Sequence, residues 1–234
     1  VNVKHGGDAA SSSEVFVTYI NDNQSFQVRG RNVVMACYNM MIPYIVSGLP
    51  EAQEAALRLQ TKSPFVYTTV GLRNWHAMKE SGIGVAMSPG NMHQAVLMDF
   101  PVSMGGYKFT ESPDEPCVIQ MISCPYGTFG APPEDQFREA RYRMLSLQFS
   151  DYEKEIRRHL TGMFPKELFD FDKDVASISV NRWAHGYTYA GPGNSVRVGR
   201  QPFGRITVAN SDSAPGADAK TAIMMGSRAV NELS

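Results

Sequence analysis

The stretch from Gly204 to the end constrains this chain more than any other. Residues 204–212 (GRITVANSD) form a short β-branched run that ends in small and polar residues. A Gly/Pro turn through Pro215 and Gly216 then leads into a helical pattern whose near face carries Ala222, Gly226, Ala229, Val230 and Leu233. Small residues at the start of a helix let its backbone N–H groups approach a ligand closely, and the helix dipole favours an electron-rich edge there. The pattern reads as the closing half of a nucleotide-cofactor site.

With 234 residues, 43% of them hydrophobic, the chain can bury a large core in one domain or two. A formal net charge of −1 gives no electrostatic reason for a nucleic-acid or anionic-membrane partner. No apolar run approaches the roughly 20 residues needed to span a bilayer, so the expectation is a soluble globular protein. The three cysteines, Cys37, Cys117 and Cys124, lack metal-type pairing and read as reduced thiols in a core. His76, His93 and His159 show no ligand spacing, so no metal is expected. The chain opens directly on an alternating strand at Val1, which reads as a polypeptide continued from upstream.

Residues 1–37 read as a β-meander with strands at 1–5, 15–20, 26–29 and 33–37, punctuated by Gly6-Gly7-Asp8 and Asn21-Asp22-Asn23. The last of these is apolar on both faces and is expected inside a doubly covered sheet. A helical stretch follows from about 40 to 59, interrupted at Pro43 and Pro50. Strands are expected at 65–72, 95–100, 117–123 and 175–180, a turn-rich segment at 75–90, one helical pattern from 132 to about 164, and irregular chain from 182 to 204. This order gives an α/β sheet domain split by an α+β insertion of mixed sheet and helix.

Gly82-Ile-Gly84 lacks the third glycine of a dinucleotide-binding loop and does not follow a strand, so it reads as a plain loop. Residues 181–189 (NRWAHGYTY) are more informative. Trp183, His185, Tyr187 and Tyr189 put four rings in seven residues, and the polar tips of such rings are costly to bury unpaired. They read as the wall of an aromatic pocket or as a hydrogen-bonded structural loop. His185 has no carboxylate, Ser or Cys partner fixed by spacing. Lys62, Lys79 and Lys108 are isolated in the sequence, and none stands out as a catalytic base.

Residues 31–43 (RNVVMACYNMMIP), 180–189 (VNRWAHGYTY), 199–212 (GRQPFGRITVANSD) and the final helix resemble the flavin-dependent amine oxidases, and more closely their bacterial spermidine-dehydrogenase-like, FAD/NAD(P)-binding branch. The resemblance covers essentially the whole chain. It implies that residues 1–38 and 198–234 complete an FAD-binding domain, that 39–190 form a substrate-binding domain, and that 191–197 connect them. It further implies that Val1 meets the adenine and that Ala36 and Cys37 lie beside the adenosine and pyrophosphate. Asn210, Ser211 and Asp212 would approach the ribityl and phosphate region, and Thr221, Ala222 and Ile223 the pyrimidine edge of the ring. Trp183, His185, Tyr187 and Tyr189 would wall the pocket of a small-molecule amine. The pyrophosphate loop would lie upstream of residue 1 or on another chain, so this chain alone is expected to be inactive.

Two other readings fit the same residues. One is a flavin-dependent desaturase of a carbon chain, for which the pocket would be apolar throughout. The other is a non-catalytic subunit that complements a separate nucleotide-binding chain.

Overall fold

The computed structural model describes residues 1–214 and 216–233. In chain order the elements are β1 (Asn2–His5), β2 (Val15–Asn21), β3 (Gln24–Gly30), β4 (Val33–Met35), a 3-10 turn (Asn39–Tyr44), α1 (Glu51–Arg58), β5 (Lys62–Leu72), α2 (His76–Ser81), β6 (Val85–Met87) and β7 (Ala95–Met98). There follow β8 (Cys117–Ser123), α3 (Pro133–Ser146), α4 (Phe149–Met163), α5 (Phe171–Asp174), β9 (Val175–Thr188), α6 (Ser195–Gly199), β10 (Ile206–Val208), a 3-10 turn (Ser211–Ser213) and α7 (Ala219–Asn231). Two compact units result: one from residues 1–62 and 187–234, the other from residues 63–186. The cuts fall after Lys62 and Gly186 rather than after residues 38 and 190. The first moves because Ile42, Val46 and Leu57 are buried in the same core as Val3, Met35 and Ile206.

In the outer unit, β1, β2 and β3 form an antiparallel sheet. Its hairpin turns at Asp22 and Asn23, both with positive φ (47° and 59°), the backbone that a tight two-residue turn requires and that Asp and Asn tolerate. The expected fourth strand of this meander leaves it. β4 pairs in parallel with β10, Val33 opposite Ile206 and Met35 opposite Val208, and the Val33 N–H donates to Arg205 O at 2.9 Å. β10 is buried throughout, whereas Val34 of β4 is 40% exposed, so β4 is not covered on both faces as its apolar sequence suggests. Pro50 stands as the cap of α1, where its missing N–H costs no helical bond. Of the proposed near face of α7, Ala229 is fully buried while Val230 is 60% exposed. Val230 follows Ala229 by one residue and so points about 100° away around the helix. Pro215 of the expected turn lies outside the described residues.

The inserted unit is a five-stranded sheet in the order β6-β7-β8-β5-β9. Every second residue of β5 is buried, from Lys62 to Leu72, and the residues between are half-buried. Val66, Val70, Val96, Ile119 and Met121 turn towards Met144 of α3 and Tyr152, Ile156 and Leu160 of α4. This one-sided core follows from the period-2 pattern of the strands and the amphipathic pattern of the helices. The single helix expected over 132–164 is two. Leu147 and Gln148 are extended, and Gln148 starts α4 in a capping box, its N–H donating to Asp151 Oδ2 at 2.8 Å.

The segment expected to be turns at 75–90 contains α2 and β6, and α2 is closed by Gly82 at φ 66°, which agrees with reading that glycine as a loop residue. The segment expected to be irregular after Arg182 instead continues β9 to Thr188. Of the cysteines Cys117 is buried and Cys37 packs, half-buried, against the outer unit's core, whereas Cys124, just past the end of β8, is exposed.

Candidate functional site

Two regions carry the polar and aromatic groups that the sequence singles out, the first within the outer unit and the second along the inserted sheet, with Trp183 and His185 in the inserted unit and Tyr187 and Tyr189 in the outer one. In the outer unit the turn after β10 meets the segment after β4. Asn210 Nδ2 donates to Cys37 O at 2.5 Å and to Asn39 Oδ1 at 2.8 Å, while its Oδ1 accepts the Ser213 N–H and hydroxyl at 3.0 Å each. Asn39 Nδ2 donates to Gln60 Oε1 at 2.7 Å, and Gln60 Nε2 donates to Ala56 O and Ser195 O. Asp212 is held from both sides. Its Oδ1 lies 2.6 Å from Lys62 Nζ and its Oδ2 accepts the Asn39 N–H at 3.3 Å, with both side chains of the ion pair about 5% exposed or less. The Tyr38 ring faces the Lys62 ammonium at 4.6 Å.

Such a pair tolerates burial because both carboxylate oxygens are engaged and the ammonium faces a carboxylate and an aromatic ring. Lys62 is the residue that sequence reading passed over. Its signal is a lysine on the buried phase of an otherwise apolar strand, one that only a distant carboxylate could neutralise.

Among the proposed cofactor residues, Asn210, Asp212 and Cys37 join this cluster, and burial pushes the Cys37 thiol up. Ser211 is half-buried and its hydroxyl has no partner among the described residues. At the start of α7, Asp218 caps the helix by accepting the Thr221 N–H and hydroxyl at 2.8 Å each. Those bonds hold the Asp218 carboxyl below its usual range. Ala222 is half-buried, Ile223 is 72% exposed, Val1 is 71% exposed and Ala36 is exposed.

The inserted unit presents the sheet face opposite its helices. Phe65, Tyr67 and Thr69 of β5, Val118, Gln120 and Ile122 of β8, and Leu97 of β7 are half-buried there. Ile178, Val180 and Ala184 of β9 pack on the core side, so Trp183 turns to the open face, where it is 56% exposed. Alternation fails just after it. A Cβ on Gly186 would run into Phe65 Cβ and lie 2.8 Å from Trp183 Cβ, although residues three apart in a regular strand lie about 10 Å apart. The strand bulges here, and glycine is the residue that fits. His185 is half-buried, Tyr187 is 47% exposed and Tyr189 is half-buried.

On the covered face, Thr68 Oγ1 and His93 Nε2 are 2.8 Å apart, both fully buried, and burial lowers the His93 pKa to about 4. Among the described residues no group of three or more His, Cys, Asp or Glu is placed to hold a metal, and no helix is long and apolar enough to cross a membrane.

No protein-family model and no curated protein matches the sequence. Solved structures do. A cyclohexylamine oxidase from Brevibacterium oxydans IH-35A superposes with a TM-score of 0.69 at 14% identity, covering 99% of this chain and 47% of that one. A putrescine oxidase bound to putrescine gives 0.64 at 15% identity, with the same coverage of each chain. The chain has the mixed α/β fold of the C-terminal part of a flavin amine oxidase. It spans about half the length of the amine oxidases it matches. At these identities the likeness establishes the amine oxidase fold and no branch within it.

Proposed function

We propose that this chain is the C-terminal portion of an FAD-dependent oxidoreductase that oxidises a primary or secondary amine. The observation that carries the reading is the match of 99% of the chain to one half of two amine oxidases. Placement in the spermidine-dehydrogenase-like branch is part of the same proposal and rests on the sequence runs quoted above. When bound, the flavin would supply the acceptor for a hydride leaving the carbon next to an uncharged amine nitrogen, and water would hydrolyse the resulting imine.

The residues present fit their share of such a cofactor. The unpartnered Ser211 hydroxyl suits a ribityl or phosphate oxygen, and Val1, Ala36 and Ile223 are uncovered apolar groups that a flat ligand and the rest of the fold would cover. Asn210 and Asp212 act behind this layer: they fix the turn that carries Ser211 and neutralise Lys62. Thr221 and Ala222 begin α7, whose dipole favours negative charge. Asp218 already takes part of that field, so the helix start would polarise a ligand less than a bare one. Trp183, His185, Tyr187 and Tyr189 are assigned to the substrate pocket, where rings exclude water and leave an amine poorly solvated.

The test is the visible absorbance of the purified chain, alone and mixed with the polypeptide encoded just upstream. Bound-flavin bands appearing in the mixture are the expected result. No flavin in either sample would overturn the cofactor assignment and leave a non-catalytic subunit.

A further inference from the structure

The helix side of the inserted sheet is not filled throughout. Between α3 and α4 the chain is extended at Leu147 and Gln148, so the helical layer over the sheet is broken there. A pocket of about 320 Å³ opens at the break, bounded by Arg143, Met144 and Leu147, by Tyr152 of α4, and by Val66 and Ser123, which pair with each other in β5 and β8. The strand phase puts Val66 and Ser123 on the face turned to the helices. The pocket therefore lies across the sheet from Trp183 and wholly within the inserted unit.

Its walls are held by polar bonds. The Gln94 side chain donates to Asn91 O and Met92 O at 3.2 Å each and accepts the Cys124 N–H at 2.8 Å, which clamps the 91–94 loop to the end of β8. The Tyr152 hydroxyl donates to Met144 O at 3.2 Å and Arg182 Nη1 to Leu147 O at 2.8 Å, which fixes both sides of the break. Two lining groups are left with bonding capacity. Ser123 is 2% exposed and its hydroxyl makes no hydrogen bond among the described residues, yet that oxygen is not sealed in, so it opens onto the pocket. Arg143 is exposed at the rim, gives one donor to Tyr126 O and pairs with no carboxylate among the described residues. Glu139, one turn back on α3, feels the Arg143 charge but is engaged by the Thr128 N–H and hydroxyl.

These groups fix the polarity of an occupant. The pocket has a guanidinium at its mouth, apolar walls from Val66, Met92, Met144 and Leu147, and an unpartnered hydroxyl at its floor, and none of the residues that line it is acidic. At the mouth an arginine fork can take a carboxylate that stays partly in water. At the floor Ser123 can satisfy an uncharged polar atom, whereas a charge buried there would lack a counter-ion. We propose that this pocket binds a small organic carboxylate, its charged end on Arg143, its apolar body between Met92, Met144 and Leu147, and an uncharged polar group at its far end on Ser123. An ammonium would meet Arg143 with like charge, so this site takes a ligand of the opposite class from the amine proposed above and does not depend on that reading.

The test is a titration of the 234-residue chain with 4-hydroxyphenylacetate, followed by NMR at the labelled methyl groups of Met92 and Met144. Saturable shifts at both are expected. Removing the carboxylate, as in 4-ethylphenol, should weaken binding about tenfold, and removing the hydroxyl, as in phenylacetate, about threefold or more. Each preference should vanish with its own side chain: Arg143→Gln should bind 4-hydroxyphenylacetate and 4-ethylphenol equally, and Ser123→Ala should bind 4-hydroxyphenylacetate and phenylacetate equally. Both variants should fold, since one changes an exposed side chain and the other removes a hydroxyl that has no partner. The absence of saturable shifts with 4-hydroxyphenylacetate, equal affinity for the three compounds in the unaltered chain, or a preference that survives in its own variant with circular dichroism unchanged would overturn the site.

Discussion

Asp212 and Asp99 are two carboxylates set in opposite circumstances. In the outer unit Asp212 is buried with both oxygens engaged, by Lys62 and by the Asn39 N–H, inside a network that also ties up Asn210 and Gln60. In the inserted unit Asp99 is half-buried with only its Oδ1 engaged, by the Gln120 side chain and the Phe100 N–H, on the sheet face opposite α3 and α4. A saturated polar cluster holds backbone in place, and its cost of burial is offset only within itself. A half-buried carboxylate can leave one oxygen to solvent at little cost. Of the residues suggested by sequence for a ligand, Asn210 and Asp212 commit their side chains to the first cluster, Cys37 joins it through its carbonyl, and Ser211 sits on the turn they hold.

The contrast is sharpest in stability. Asp212→Ala or Lys62→Met leaves a buried charge without its partner and should cost about 3–5 kcal/mol in urea unfolding of the chain. The double variant Lys62→Met with Asp212→Leu should recover much of that loss, and Asp99→Asn should change stability by less than about 1 kcal/mol. A large loss in Asp99→Asn would erase the distinction between the two regions.

The second comparison sets the covered face of the sheet against the open one. His93 is neutral in the fold with a pKa lowered to about 4, against an ordinary value of 6.5. Below 6.5 the unfolded chain takes up a proton that the native state refuses until about pH 4, so stability falls with decreasing pH across that window. The full effect is about 3 kcal/mol. His93→Gln, which cannot charge, should flatten that part of a pH–stability profile, and an unchanged slope would show that His93 is not the group responsible.

A smaller loss than that of the ion pair belongs to the bulge in β9. Gly186→Ala drives a methyl group against Phe65 and Trp183 and should cost about 1–3 kcal/mol. It should also displace the Trp183 fluorescence maximum, which a substitution accommodated by the strand would leave in place.

Much of this architecture is legible in the sequence because alternation and punctuation are local. β8 falls on residues 117–123 as expected, the Asp22–Asn23 turn is announced by residues that tolerate positive φ, and the insertion between β4 and β10 follows from element order. What is not legible depends on contacts across long sequence distances. Val33–Met35 has the composition of a central strand, yet its partner is β10, and nothing near residue 33 says so. Lys62 looks isolated because the carboxylate that neutralises it is Asp212. Trp183 is singled out by its ring-rich neighbourhood, whereas Asp99 is a lone acid near the end of the strand expected at 95–100, and only the pairing with β8 brings it to the Gln120 side chain. The break between α3 and α4 was within reach, since Gln148 and Asp151 spell a capping box inside the helical pattern.

The parallel pairing of β4 with β10 also governs the order in which the chain can assemble. The inserted unit is one continuous stretch, 63–186, and every contact of its core is available once Gly186 has been synthesised. The outer unit cannot close until Ile206–Val208 emerges, because it must bridge the whole insertion to reach Val33–Met35. Closure across so long a loop is slow on topological grounds. During synthesis, therefore, the sheet that carries Asp99 is complete while β4 still waits with an unpaired edge. A pulse-labelled nascent chain should become protease-resistant first in its middle.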